Sequence, residues 1–454
     1  MSFIDTLKGL VNKMLGRQEV TSAFKGIGSS LIGSNLYTAM QAWDKLYKND
    51  TLAPVIANDL ATMTCVDMQY SVSEDTDLGK KIKKVIDNIN FTSKLELFLG
   101  YGGGIIKPSG KGYNLDFVPA NMYIPISENE DGDLVDVIFI EDYIKDGKTY
   151  TKLERQYFDD MGFYIIDRKT YVSTVGGQLG YETNISNTIW AGSEPQIIIK
   201  GIEKPLFIEY KTPIVPNCEP TSHRGASVFS RAVDEIVELA DIYNQFKTEL
   251  KNSQAILFVD EQSLMKPSQN GGRAQVVNPL PNLVKGIRFG NNSTNCVEKW
   301  APEIRVGAYK DSIELALNLI CTKIGVSPTF YNFDKTTGTI TATQVASDDR
   351  KTITYIANLQ NSFKNALDRV IPMMIRYISI FEEEVNADTV VEFNFTFKDL
   401  FINDAEDMAQ DYKLVEGGFL PKWKYLVNWC GYNEEEAKRL VDEANSEHTI
   451  NNNS

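Results

Sequence analysis

The amino-acid sequence predicts an α+β protein, and three observations lead there. Between residues 101 and 215, short runs rich in Ile, Val, Tyr, Phe and Thr are punctuated by Gly, Asn and Asp, the pattern of a mostly antiparallel sheet. From Ser227 onward the apolar residues recur at steps of three and four, the spacing of amphipathic helices. Apolar residues make up 43% and charged residues 24% of the 454 residues. These values sit near globular averages, so a buried core is expected, and the length suits about two to four modules.

Residues 1–75 read as helical and polar, with a Gly/Ser-rich break at 26–30. At the start, Ile4, Leu7, Leu10, Val11, Met14 and Leu15 mix with Lys8, Lys13 and Arg17. This predicts an amphipathic surface helix docked on a neighbour, not a secretory signal with an unbroken apolar centre. A short helix is expected over 78–92, with Leu78, Ile82, Val85, Ile86 and Ile89 on one face. Strand runs follow at 134–140, 149–158, 162–172, 196–200 and 206–211. Next, Phe229, Ala232, Val233, Ile236, Ala240, Tyr243, Phe246 and Leu250 trace one face of a helix of about 25 residues, roughly 38 Å long.

Residues 255–305 form a compact insert broken by Pro267, Gly271, Gly272, Pro279 and Pro281. A second helix is predicted over 306–325, closed by Gly325 with Pro328 just beyond. After a polar stretch at 332–341 comes the longest helix, 341–384, with Ile356, Leu359, Phe363, Ala366, Val370, Met373 and Tyr377 on a heptad-like stripe. Pro372 inside it removes a backbone donor and predicts a kink. The chain closes with a β run at 390–397 and two or three short acidic helices. Residues 377–454 hold 17 Asp/Glu against 6 Lys/Arg, so this end is strongly acidic.

Composition narrows the function. No apolar run approaches the roughly 18 residues of a membrane-spanning helix, and no membrane role is expected. Five scattered cysteines, Cys65, Cys218, Cys296, Cys321 and Cys430, argue against a disulfide framework. The two histidines, His223 and His448, have no zinc-ligand spacing and no neighbouring nucleophile motif. Neither a metal nor any other cofactor is expected, and the chain does not read as an enzyme. The formal net charge of −15 excludes general phosphate binding over the whole surface, because DNA affinity comes mainly from Lys and Arg displacing counterions. Any contact with DNA is local or weak.

Several motifs carry a bland reading and a sharper one. The run YGGG at 101–104 lacks the lysine and hydroxyl of a Walker loop, so its glycines are read as a tight backbone path between helix and sheet. The acidic groups at 348–349 and 382–384 are read as exposed helix faces in preference to metal ligands. The polar loop Lys335, Thr336, Thr337, Gly338, Thr339 and Thr341 is either an ordinary helix connection or a flexible, hydrated loop that touches a moving polymer. The insert carries Lys266, Arg273, Lys285, Arg288, Lys299 and Arg305 against Asp260, Glu261, Glu298 and Glu303. It is either a solvated basic face or a docking surface for an anionic or protein partner.

The order of these pieces resembles the portal proteins of tailed bacteriophages, particularly the branch common in siphophages of Gram-positive hosts. The stretches that carry the resemblance are YGGGIIKP at 101–108, DFVPANMYIP at 116–125, WAGSEP at 190–195, KPLF at 204–207, GASVF at 225–229 and FDKTTGTITATQV at 333–345. Their order and spacing are specific together, and they span the chain from about residue 40 to 445. One departure is SHRG at 222–225, where the family commonly has a proline before the glycine.

The resemblance implies a portal-type fold. Residues 1–227 would form a β-rich wing with N-terminal helices, and 228–254 and 306–329 the two stem helices. Residues 255–305 would be a small α/β clip between them, and 330–341 the tunnel loop. Residues 342–399 would supply the kinked long helix and a wing strand, and 400–454 a short helical crown. It further implies a cyclic homo-oligomer of twelve copies at one capsid vertex. Double-stranded DNA would pass through without sequence preference, and the clip, through Lys266, Arg273, Lys285 and Arg288, would meet the terminase and later head–tail adaptors. The major capsid protein and a scaffold protein would be further partners, and the chain would reside in the virion after assembly in the host cytoplasm. The alternative is another structural phage protein of a tail or baseplate.

Overall fold

The computed structural model describes residues 35–49, 51–110, 112–175, 179–253, 256–260, 265–266, 275–276, 284–287, 297–328, 330–331, 342–382, 385–397, 404–430 and 432–451. The expected surface helix within 1–17 lies outside them. The architecture is mixed α and β with antiparallel sheets, in two compact units, Met1–Thr396 and Phe397–Ser454.

The described residues of the first unit begin with helices α1 (Asn35–Lys48), α2 (Leu52–Cys65), α3 (Asp77–Asp87) and α4 (Phe91–Tyr101), with strand β1 (Gln69–Val72) between α2 and α3. Side-chain caps start three of them. Thr51, Thr76 and Asn90 accept from the backbone N–H groups of Ala53, Gly79 and Ser93, which satisfies donors that a helix start leaves orphaned. The helix expected over 78–92 thus ends early. Asn88 closes α3, and Asn90 caps a second helix, α4, in a stretch to which the periodicity assigned no element.

The YGGG run performs the tight passage its glycines predict. Gly102 ends α4 at φ 84°, and a Cβ there would stand 2.8 Å from the Ala226 carbonyl carbon. A Cβ on Gly104 would meet the Phe98 ring at 2.1 Å. These residues lead into β2 (Gly103–Ser109), which pairs with β3 (Asn114–Pro119) and β10 (Ile208–Lys211).

A second sheet holds β4 (Tyr123–Glu128), β5 (Leu134–Lys145), β6 (Lys148–Phe158), β7 (Tyr164–Ser173) and β8 (Tyr181–Thr183), with β9 (Gln196–Ile199) also on β7. Every pairing in both sheets is antiparallel. The 134–140 run is longer than its apolar core suggests, because β5 continues as an exposed hairpin arm opposite β6 as far as Lys145.

The long helix, Ala342–Phe381, runs through Pro372. Its stripe from Ile356 through Met373 is buried as predicted. Phe363 packs edge-on against Phe91 and Tyr210, and Phe98 stacks on Tyr210 at 5.6 Å. This aromatic core joins α4, the first sheet and the long helix. Strand β16 (Phe393–Thr396) pairs with β1 and so returns the chain to its beginning.

One buried charge network ties the two sheets together. Glu154 on β6 accepts from Lys107 of β2 at 2.8 Å, from Arg168 of β7 at 2.7 Å and from Gln156 at 2.8 Å. Lys152 pairs with Glu141 at 2.8 Å. Burial alone would raise the Glu154 pKa, but the opposing pull of Lys107, Arg168 and Lys152 holds it well below the usual carboxylate value. Among its described residues the second unit has the helices Asp404–Glu416, Lys422–Cys430 and Glu434–Asn451, with Trp429 Nε1 donating to Asp411 Oδ2 at 2.8 Å. Ala437 is the one fully buried side chain among its described residues.

Replacing Glu154 with Gln leaves the buried Lys107 ammonium without its closest counter-charge. Breaking a buried pair in this way costs about 3–5 kcal/mol, which thermal unfolding will register as a lowered midpoint. Because the Glu154 carboxyl is depressed in the fold, its contribution is present above the ordinary value of 4.5 and lost as pH falls below it. The wild-type midpoint should therefore hold near neutrality and drop on acidification, and the drop should be smaller in Glu154→Gln.

Candidate functional site at the helical hairpin

The residues that lead out of the first sheet anchor a two-helix hairpin. Thr212 Oγ1 lies 2.6 Å from the Ala226 carbonyl oxygen and 3.1 Å from that of Gly102, while Val228 N donates to Leu99 O at 3.1 Å. Gly225 is pressed so close that a Cβ would come within 2.3 Å of Gly102 O. Arg224 bridges two carboxylates, donating to Glu209 on β10 and to Glu128 on β4. His223 Nδ1 stands 2.9 Å from Glu128 Oε2, and Arg369 of the long helix donates to Glu209 O at 2.9 Å. Burial raises the Glu209 pKa despite Arg224 and Lys211. Glu128 is also raised by burial, but Arg224 and His223 outweigh that and its pKa is lowered. His223, which carried no role in the sequence, is thus part of this anchor.

From the anchor a 3-10 turn, Ser230–Ala232, starts the outgoing helix α5 (Val233–Asn252), and α6 (Val306–Ile324) returns. The outgoing helix begins later than the apolar run at 228 implies, because Val228 and Phe229 are spent on packing at the root. Phe229, Ala232 and Ile236 are buried there, together with Ala316, Leu317, Ile320, Cys321 and Ile324 of α6. Gly325 ends α6 in the left-handed region, the helix-stopping role expected of it. Lys323 pairs with Glu235 across the two helices.

Other apolar side chains of the pair are left uncovered, and on α6 they alternate with the buried Ala316, Leu317 and Ile320 on another face of the same turns. Tyr243 and Leu250 on α5 are 50% and 40% exposed, and Leu315 and Leu319 on α6 are 62% and 45% exposed. The far end is closed by a clamp. Glu249 accepts from Arg305 Nη2 at 2.6 Å, from Arg305 N at 3.1 Å and from the Tyr309 hydroxyl at 2.8 Å. These bonds, those of the Arg305 side chain foremost, push the Glu249 carboxyl down to about 2. Arg305 was grouped above with the cations of the insert; its charge is instead committed to Glu249.

A second feature of α5 escaped the sequence reading. Asp234, Glu238, Asp241, Gln245 and Thr248 are all exposed, and at spacings of four and three they share one face. That stripe has three carboxylates and no lysine or arginine. The signal was present in the 4-3-4-3 spacing, but attention to apolar periodicity passes over a polar stripe.

In the insert, β11 (Ile256–Asp260) pairs with β14 (Val284–Ile287) in parallel and with β15 (Val297–Trp300) antiparallel; β12 (Met265–Lys266) pairs with β13 (Gln275–Val276). Its described residues within strands place Lys266 opposite Gln275 and Lys285 opposite Phe258. Arg273 and Arg288 lie outside the described residues, as do Lys335, Thr336, Thr337, Gly338, Thr339 and Thr341 of the polar loop.

Of the acidic groups weighed for metal, Glu382 is taken by Lys81 at 2.8 Å and by the Tyr113 hydroxyl at 2.8 Å. Among the described residues no group of three or more His, Cys, Asp or Glu is placed to hold a metal ion. No helix of the described residues is long and apolar enough to cross a membrane.

No protein-family model matches this chain, and no curated protein matches it. Solved structures do. A chain in the virion of a native gene transfer agent particle is 12% identical, with a TM-score of 0.44, over 87% of this chain and 93% of that one. A chain in the neck of a native gene transfer agent particle, computed with C12 symmetry, is 10% identical, with a TM-score of 0.37 over the same shares.

Glu249→Gln should loosen the far end of the hairpin without touching its root. Hydrogen exchange should quicken at the end of α5 and the start of α6, while amides near Ile320 keep their protection. Equal protection in both forms would show that the clamp does not hold the two helices together.

Proposed function

We propose that this chain is a portal subunit of a tailed phage or phage-like particle: copies close into a ring through which double-stranded DNA is packaged and later leaves. The observation that carries this reading is the hairpin, whose two helices expose Tyr243, Leu250, Leu315 and Leu319, with a cation-free acidic stripe on the face of α5 opposite Tyr243 and Leu250. Apolar side chains that one subunit cannot cover suit a wall of hairpins, each packing against a different face of the next copy. Such a head-to-tail contact closes into a ring when its rotation divides the circle. Twelve copies are the number in the family that the sequence resembles.

The acidic stripe suits the passage. Every phosphate neutralised by lysine or arginine strengthens binding, and a grip repeated around a ring would stall a sliding duplex. The face made by Asp234, Glu238 and Asp241 offers repulsion and hydration, and no base-reading side chains. The loop containing Lys335, Thr336, Thr337, Gly338, Thr339 and Thr341 would narrow the channel with small hydroxyls. The basic insert, with Lys266, Arg273, Lys285 and Arg288, would receive the terminase during packaging and adaptor proteins afterwards. Hydrolysis of ATP would belong to the terminase and not to this chain.

The combined substitution Leu315→Glu and Leu319→Glu tests the wall. The wild type should sediment as a closed oligomer, and the variant should keep its circular dichroism spectrum but sediment as smaller species. A variant that still forms the wild-type oligomer would remove the hairpin from the ring contact. Replacing 335–339 with bulky acidic residues tests the loop: rings should persist while DNA per particle falls, and full packaging would defeat the assignment.

A further inference from the structure

On α6, Ala308, Ser312, Leu315, Leu319 and Thr322 are all exposed, and at steps of four and three they form one stripe along the helix. No charged residue falls on it. The Ser312 and Thr322 hydroxyls donate to the backbone oxygens of Ala308 and Asn318, each at 2.8 Å, so both donors are spent within the helix. The stripe is therefore largely apolar, and the exposed carboxylate of Asp311 borders it. Helix α5 carries a counterpart. Ala240, Tyr243, Lys247 and Leu250 follow at steps of three and four, on the flank away from the acidic stripe. Tyr243, Lys247 and Leu250 are exposed, and Lys247 Nζ lies over the Tyr243 ring, 4.4 Å from its centroid. One helix thus offers an apolar stripe with an anion beside it, and the other an apolar flank with a cation on it.

The two surfaces also match in height. Glu235 pairs with Lys323, and Glu249 accepts from Tyr309 at 2.8 Å, which fixes how the two helices run past each other. Lys247 precedes Glu249 by as many positions as Asp311 follows Tyr309, so these two charges stand level. By the same count Tyr243 is level with Leu315, and Leu250 with Ala308. Within one hairpin Lys247 and Asp311 do not meet. Tyr309 faces α5 through its contact with Phe246, at 5.2 Å between ring centroids, and Asp311 lies about 200° around the helix from Tyr309. Rotation about a ring axis carries no atom along that axis, so for hairpins standing along it, levels in one copy are levels in the next.

We propose that the α6 stripe of one copy packs against the Tyr243 flank of α5 on the next, with Lys247 of one hairpin paired to Asp311 of its neighbour; this rests on the portal reading. Each copy then uses both surfaces once, as a head-to-tail contact requires. The apolar residues supply the buried area. The ion pair sets the height at which neighbouring helices meet, because any axial slip separates the opposite charges.

Charge exchange in the full-length protein tests this, read as the concentration at which the oligomer dissociates in low salt. Lys247→Glu and Asp311→Lys should each raise that concentration, by about two- to fivefold per contact. The double variant Lys247→Glu/Asp311→Lys should return it toward the wild-type value, and added salt should shrink all the differences. A second reading uses Lys247→Cys with Asp311→Cys in a Cys218→Ser/Cys430→Ser background. A short bismaleimide should link its copies into a ladder of multimers that neither single cysteine substitution gives. Unchanged dissociation in the single charge variants, no recovery in the double, or the absence of a ladder would each overturn the pairing. If Leu315→Glu with Leu319→Glu still breaks the oligomer in that case, the ring reading stands and the pairing alone falls. A wild type that never closes into an oligomer overturns both.

Discussion

An apolar surface that a chain cannot cover by itself must be covered by something else, and the hairpin built from α5 and α6 presents this constraint plainly. At its root, Ile236, Leu317 and Ile320 are buried. On other faces of the two helices, Tyr243, Leu250, Leu315 and Leu319 are left 40–62% exposed. Fully burying one such side chain contributes about 1.5–3 kcal/mol, so a neighbour that covers several of them gains enough to repay the ordering of an interface. A repeated contact of this kind closes into a ring if its rotation divides the circle, which is what the proposed function requires.

The rest of the first unit serves as a foundation for that hairpin. Two antiparallel sheets are locked by the Glu154 network, and the aromatic cluster around Phe363 and Tyr210 fixes the long helix against them. The close passage of Gly102 and Gly225 and the Arg224 bridge then set where the outgoing helix starts. A rigid base matters if the hairpins are to form a wall, because small tilts at the root become larger displacements at the far end. Electrostatics supplies the complementary property. In the proposed ring, the stripe from Asp234 to Thr248 would offer a duplex no cations to hold it.

Much of this was legible from residue order. The β-rich stretch, both hairpin helices and the long helix followed from periodicity, because each buries a face with its own spacing. The run YGGG was readable as a tight passage, since glycine adopts φ near 84° without strain and leaves free the space in which a Cβ would collide. Local capping was harder to see. Asn88 and Asn90 divide an apparently continuous apolar pattern into two helices, and short polar caps do not alter periodicity. Long-range pairing was invisible. Nothing near Arg224 announces Glu209 or Glu128, and nothing near Arg305 announces Glu249, because the fold brings them together from distant strands and helix ends.

The central claim is that these hairpins stand side by side around a hollow axis. Electron microscopy of the purified assembly tests it most directly. The account predicts an annular particle whose inner wall is made of the 233–252 helices, with the acidic stripe toward the opening and the 335–341 segment at its narrowest point. A particle with no central opening, or one in which that segment is packed away from it, would contradict the account.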